Sequence, residues 1–320
     1  MGTTLQARID STQDINKDDY LKAIADRIIT SPGYPANWGT SGNVPDDFGL
    51  AVSSSTSAYE LDIDKISCLN IQNNDALSYL DLTNSSKLYD ISLGITVSQV
   101  MTLSIEQSSN ITVGSDKIFT FTVSTNTESK PISTNLHCYV VADSYINQVN
   151  DATESGVGSL TVQFPTSIVD DALLVVFARA PFDERITSFA TYNFADSTQE
   201  TTPTNTAISL SPLDYKLNFN TSSGLSVQTV HVLTYSYNQA ITSFSGSQCA
   251  IPNLIDKCPI ILIACGLNDT DYFEEWTSYP QIPLTAGSTF EYSEKNIFSY
   301  LVTIDYALYK IEVSFGDVNH

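Results

Sequence analysis

From residue 88 onward the chain is a succession of short apolar or alternating segments of strand length, the first seven separated by turns rich in Gly, Asn and Ser. The segments fall at 89–95, 101–106, 117–124, 135–142, 159–164, 172–179 and 187–194. They resume at 207–210, 215–220, 227–237, 241–244, 260–265, 289–292, 300–307 and 309–315. Segment 117–124 alternates with a period of two, which separates Phe119, Phe121 and Val123 from Ile118, Thr120 and Thr122. Both sets carry apolar groups, so the pattern alone leaves the core face open. No helical periodicity intervenes to supply the crossovers of a parallel sheet. About seven strands in roughly 105 residues is the pattern of an immunoglobulin-like sandwich, and the second series implies another of about 115 residues. The expected fold is mainly β: two tandem immunoglobulin-like antiparallel β-sandwiches preceded by a short N-terminal helical segment. The expected divisions are a helical and irregular region over 1–87, a first sandwich over 88–198 and a second over 203–320. The Ser/Thr/Gln/Pro stretch 196–205 serves as linker.

Leu21, Ile24, Ala25, Ile28 and Ile29 recur at helical spacing and give 20–30 a narrow apolar face. Asp18 and Asp19 suit the positive end of that helix. Pro32 disfavours helical geometry at Ser31, and Gly33 permits a turn, so the helix stops there. The stop reads Ser-Pro-Gly-Tyr-Pro-Ala-Asn-Trp-Gly over 31–39. Pro-Asp-Asp-Phe-Gly-Leu-Ala follows at 45–51 and Leu-Asp-Ile-Asp-Lys at 61–65. This succession resembles archaeal type IV pilin-like surface proteins, in which a helix ending in a small-Pro-Gly-x-Pro-x-x-Trp-Gly turn precedes a Phe-Gly-Leu-Ala segment. The matching turn positions are Pro32, Gly33, Pro35, Trp38 and Gly39. The resemblance implies an upstream apolar helix seated in a membrane or filament core, an anchor absent from this chain. No apolar run here nears the ~18–20 residues that span a bilayer; the longest are 172–178 and 259–265. No charged region followed by an apolar signal core opens the chain. Trp38 is expected to be buried and to lock the helix exit, with further short helices over 61–69 and 75–82.

Net charge is −22, with only 14 Lys plus Arg, which excludes nucleic acid as a main partner and disfavours anionic membrane surfaces. Of the five cysteines, Cys249 and Cys258 flank a short proline-containing loop. A bridge across it suits an oxidising extracellular setting; the alternative is five buried thiols, as Cys138 and Cys265 in apolar strands suggest. Glycosylation sequons stand at Asn84, Asn110, Asn220 and Asn268. No Cys/His spacing points to zinc. Oxygen-rich clusters at Asp10, Asp14, Asn16, Asp18 and Asp19, and at Asn268, Asp269, Asp271, Glu274 and Glu275, admit calcium. Both lack the glycine and closing glutamate of a helix-loop-helix site, so solvated loops and no cofactor are expected.

His137 and His231 lie within strand segments, and no Gly-x-Ser-x-Gly elbow occurs. Gly156-Val157-Gly158 lacks the strand-to-helix setting of a phosphate loop. The chain is expected not to be an enzyme. Tyr272, Trp276 and Tyr279 lie in an aromatic and acidic stretch, read as a loop, that either stacks on a sugar or plugs the end of the second sandwich. Arg179 and Arg185 are expected to pair with Asp183 or Glu184. The expected function is a non-enzymatic, extracellular cell-surface protein: a pilin-like subunit or membrane-anchored adhesin whose partners are like subunits or other surface proteins. The alternative is a carbohydrate-binding module, with glycan as partner, serving a surface enzyme.

Overall fold

The structure is a computed structural model that describes residues 17–54, 57–88, 91–128, 130–142, 145–166, 172–194, 208–221, 225–268, 271–290 and 296–317. It is mainly β, with several antiparallel sheets and a short N-terminal helix. The chain divides into two compact units: Met1–Ser98 with Pro283–Ile304 and Lys310–His320, and Gln99–Ile282 with Asp305–Tyr309.

The larger unit is built around the run Ala172–Arg179, apolar at almost every position and buried along nearly its whole length. It pairs with Thr187–Phe194 on one side and Thr134–Ala142 on the other, and Tyr145–Thr153 completes an antiparallel sheet. Leu136, Cys138, Val140, Leu174 and Val176 on one face meet Phe119, Phe121, Val123 and Leu160. These belong to the sheet of Thr102–Val113, Asp116–Thr127 and Val157–Pro165, so the core face of the alternating segment is the one bearing Phe119. The opposite face carries Tyr139, Val141, Leu173, Val175 and Phe177 onto Leu233, Ile261, Ile263 and Cys265. That partner sheet has the order Asn238–Ile241, Leu225–Leu233, Ile260–Asn268, Asp271–Tyr279. Its far face, with Val230, Val232, Leu262 and Ala264, is also buried. There Asp271–Tyr279 runs beside Ile208–Leu213, which pairs with Lys216–Thr221 and, through it, Gln248–Ala250. Two β-sandwiches therefore stack face to face. A sheet covered on both faces needs apolar groups on both, which is why its strands read as continuous runs.

The smaller unit holds a sheet in the order Glu60–Leu61, Asn296–Ile304, Ala307–Asp317, Ile91–Gln99, Leu284–Gly287. The helix α1 over 17–30 buries Leu21, Ala25, Ile28 and Ile29. It is tied to the sheet where the Tyr300 hydroxyl donates to Asp26 at 2.8 Å. Among the described residues no helix is long and apolar enough to cross a membrane.

The expected divisions 1–87, 88–198 and 203–320 are corrected. They put 91–99 in the first sandwich and 284–287 in the second, yet the two segments pair with each other, Val97 opposite Leu284 and Gly94 opposite Gly287. Local alternation names a strand but not its partner. The expected linker 196–205 lies outside the described residues. Among the described residues six strands go beyond the expected set: the short Glu60–Leu61, Lys130–Pro131, Gln248–Ala250 and Leu284–Gly287; Tyr145–Thr153, an edge strand rich in Asn and Gln; and Asp271–Tyr279, in the stretch expected to be a loop, while the segment expected at 289–292 forms no strand over 289–290.

Candidate functional site

The three motif stretches of the head converge in one hydrogen-bonded knot. At the end of α1, Ser31 N–H still donates to Arg27 O at 2.8 Å. The chain 45–51 then folds back along it: Leu50 N–H donates to Ile28 O, Ala51 N–H to Ser31 O and Tyr34 N–H to Asp47 O. Gly33 sits at φ +73°, and a Cβ there would lie 2.5 Å from Asp47 O. A Cβ on Gly49 would lie 2.3 Å from Ser31 O, so the two arms of the turn touch backbone to backbone. Trp38, 1% exposed, opens the short helix α2 (Trp38–Ser41) and packs against Phe48 with ring centroids 5.8 Å apart. Its Nε1–H donates to Gly49 O at 2.9 Å, and Pro35 O receives the Trp38 N–H at 3.1 Å.

The third stretch supplies the clamp. Asp62 caps the helix α3 (Ile63–Ser67), its carboxylate accepting from Asp64 N–H and Lys65 N–H. Lys65 is fully buried against Gly39, where a Cβ would lie 2.7 Å from Lys65 N. Its Nζ donates to Pro32 O and to Ala51 O, both at 2.8 Å. One ammonium thus joins the first motif to the second. Burial pulls the Lys65 ammonium below its ordinary value, with Asp62 opposing. Pro32, Gly33, Pro35, Trp38 and Gly39 all take part in this knot. No sequence signal marks Lys65 as a buried clamp, because lysine almost always reads as a solvent-facing charge. The arrangement holds the three stretches together through these hydrogen bonds and the packing of Trp38.

The other candidate residues are dispersed. Tyr272 and Trp276 lie on one face of Asp271–Tyr279 and Tyr279 on the other, since alternate residues point oppositely. Trp276 packs edge-on against Phe189 at 6.2 Å, and Tyr279 is fully buried, edge-on to Tyr215 at 5.5 Å. No platform of three rings forms for a sugar, which corrects the expected contact trio. The bridge expected between Cys249 and Cys258 is not formed. Cys249 lies opposite Leu217 in one sheet, while Cys258 packs in the core between the stacked sandwiches, and both thiols are free. Burial pushes the Cys249 thiol up to about 11.

Asn84, Asn110 and Asn220 are exposed, and the Asn268 side chain lies outside the described residues. So do Asp10, Asp14, Asn16, Asp269 and the Asp271 side chain, while Asp18 and Asp19 stand exposed on α1. Among the described residues no group of three or more His, Cys, Asp or Glu side chains could hold a metal ion.

Arg185 pairs with Asp183 at 2.8 Å, as expected, whereas Arg179 pairs with Asp256 at 3.1 Å and lies 3.9 Å over the Tyr235 ring. Burial alone would raise the Asp256 carboxyl, but hydrogen bonds from Thr234, Ser236 and Arg179 bring it below its ordinary value. His137 stacks on Tyr139 at 4.8 Å and meets Tyr235 edge-on at 5.8 Å. His231 shares a face with Leu233 opposite Ile263, in the same interlayer. Burial holds both imidazoles below their ordinary value, opposed at His137 by Asp256.

No protein-family model matches the chain, and no curated protein matches it. Among solved structures it is similar to HBP35 of Porphyromonas gingivalis at 11% identity, with a TM-score of 0.21. The match covers 56% of this chain and 63% of that one, so the chain spans less than two thirds of its length.

Proposed function

We propose that this chain is the outward-facing part of an anchored, non-enzymatic surface protein, pilin-like in its head, that works by assembly or attachment. The observation that carries the reading is the knot: α1 runs without a break into the three motif stretches, and Trp38, Gly49 and Lys65 fasten them into a single body. A helix that hands force from an anchor to a folded body needs such a fastening at its exit, since a short helix has little stability of its own. The packing of the candidate bases supports the non-enzymatic side of the reading: His137 lies against the rings of Tyr139 and Tyr235, and His231 stands opposite Ile263.

Protease shaving of intact source cells, followed by fractionation and shearing, tests the reading with an antibody against this chain. The expected result is loss of the antigen on shaving, with the remainder in the membrane or sheared-filament fraction. Antigen that survives shaving and stays in the cytoplasmic fraction overturns it.

A further inference from the structure

The sheet of Thr102–Val113, Asp116–Thr127 and Val157–Pro165 ends on one side in Thr102–Val113, its outermost strand. Up to Gln107 this strand alternates between exposed and covered positions, whereas every residue from Ser108 to Val113 is exposed. The change falls at a bulge between Gln107 and Ser109, where the Ser108 hydroxyl donates to Thr120 O at 2.9 Å. Beyond the bulge, Ile111 and Val113 are 53% and 56% exposed. The two-residue turn Gly114-Ser115 makes Val113 and Asp116 the closing hydrogen-bonded pair of the hairpin, and Ile111 and Ile118 are the next such pair. The N–H and C=O of Asn110 and Thr112 therefore point away from the sheet, to its open edge. No charged residue or proline guards this stretch: 107–115 carry neither, in a chain of net charge −22.

We propose that this edge pairs antiparallel with the same edge of a second copy of this chain, about a two-fold axis at Ile111. The sequence of the edge selects a copy of itself. With Ile111 on the axis, Asn110 of each copy meets Thr112 of the other, which matches edge-facing N–H to C=O and side-chain amide to hydroxyl. On the opposite face Ile111 meets Ile111, with Val113 of each copy diagonal to it and Ile118 behind it. Charge selects the same partner. Two acidic copies meet where neither carries a charge, while a basic partner would find no carboxylate in 107–115 to bind. The contact is short, below a standard-size interface, so pairing is weak between free chains and gains strength where many copies stand together. The inference deepens the assembly reading and rests on it for its setting, but the pairing is measured on the purified chain, wherever the protein resides.

Sedimentation equilibrium of the full chain, produced without glycan at Asn110, tests it at concentrations up to about 1 mM. The expected result is a monomer–dimer equilibrium with a dissociation constant between about 10 μM and about 1 mM. Added salt should tighten it, by screening the repulsion between two acidic copies. Thr112→Pro removes an edge-facing N–H and leaves the hairpin's own ladder intact, and Ile111→Asp sets two carboxylates face to face on the axis. Each lies at an exposed position, so each should melt as wild type and weaken pairing about ten-fold or more. Val157→Asp puts the same charge on an apolar residue 54% exposed in the strand at the other side of the sheet, and should leave the dimer unchanged. A chain that stays monomeric at about 1 mM, full pairing by either edge variant, or equal weakening by Val157→Asp overturns the proposal. A dimer formed by a chain that fractionates with the cytoplasm supports the pairing and overturns the surface reading alone.

Discussion

At the scale of single residues the head depends on groups that cannot be exchanged for their usual substitutes. Lys65→Met keeps the stem but leaves Pro32 O and Ala51 O without their donor, and should lower the free energy of unfolding by about 1–3 kcal/mol in urea titrations. The variant also carries a pH signature. Burial holds the folded-state Lys65 below 10.5, so between that lower value and 10.5 the unfolded chain binds more protons. The contribution is present in full above 10.5 and is lost as pH falls through the folded value. The stability difference between wild type and Lys65→Met should therefore widen in favour of wild type as pH rises through this window. Trp38→Ala removes a buried ring together with its bond to Gly49 O and should cost about 3–5 kcal/mol. Wild-type melting in that variant would show that the turn fastens nothing. Pro32, Gly33, Trp38 and Gly49 make this region legible in the sequence, because each is a residue type with a steric or packing reason to be where it is. Lys65 is illegible for the converse reason: nothing local distinguishes a clamp from a solvated charge.

At the scale of elements, legibility follows burial. Ala172–Arg179 and Thr187–Phe194 are readable to the residue, since a strand in a doubly covered sheet or at its edge leaves a dense apolar trace. Asp271–Tyr279 reads as a loop because its acids and hydroxyls mask two half-apolar faces, Tyr272 and Trp276 on one and Phe273 and Tyr279 on the other. The helix α1 is evident from its stripe, but its anchor point on the sheet is not. Tyr300→Phe deletes the bond to Asp26 and should cost about 0.5–1.5 kcal/mol, read as faster amide exchange over 21–30. The stacked sandwiches carry their own pH dependence. His137 and His231 both lie in the layer between them, each held by burial below 6.5. Below 6.5 the unfolded chain takes up protons that the folded chain refuses, so stability is full above 6.5 and falls as pH drops through the folded values. Urea midpoints should decline from about pH 7 to about pH 5, and His231→Leu, which keeps an apolar filling beside Leu233, should flatten part of that decline.

At the scale of the whole molecule, the sequence presents parts in order and the structure nests them. The strands 91–99 and 284–287 are neighbours in one sheet, and everything from Gln99 to Ile282 leaves and returns between them. Nothing in the alternation at 91–99 records so distant a partner, so a linear reading places the two in successive sandwiches. The nesting makes a prediction. Val97 faces Leu284 in antiparallel register, so a four-residue loop can join the two strands once Pro283, which has no N–H to close a turn, is removed with the inserted unit. A chain in which 99–283 are replaced by Asp-Asn-Gly should then keep the head sheet, α1 and the knot. Leu308→Ser and Tyr309→Thr belong in the same variant, because 305–309 group with the removed unit. Excision also takes away Trp276, leaving Trp38 as the one tryptophan of the two in the sequence. Its fluorescence therefore reports the knot without interference. Blue-shifted emission, poor quenching by iodide and a cooperative urea transition are the expected outcome, as Trp38 is 1% exposed against Phe48 and Gly49. Red-shifted, readily quenched emission would mean that the head cannot close on its own sheet, and that the inserted unit is part of what folds it.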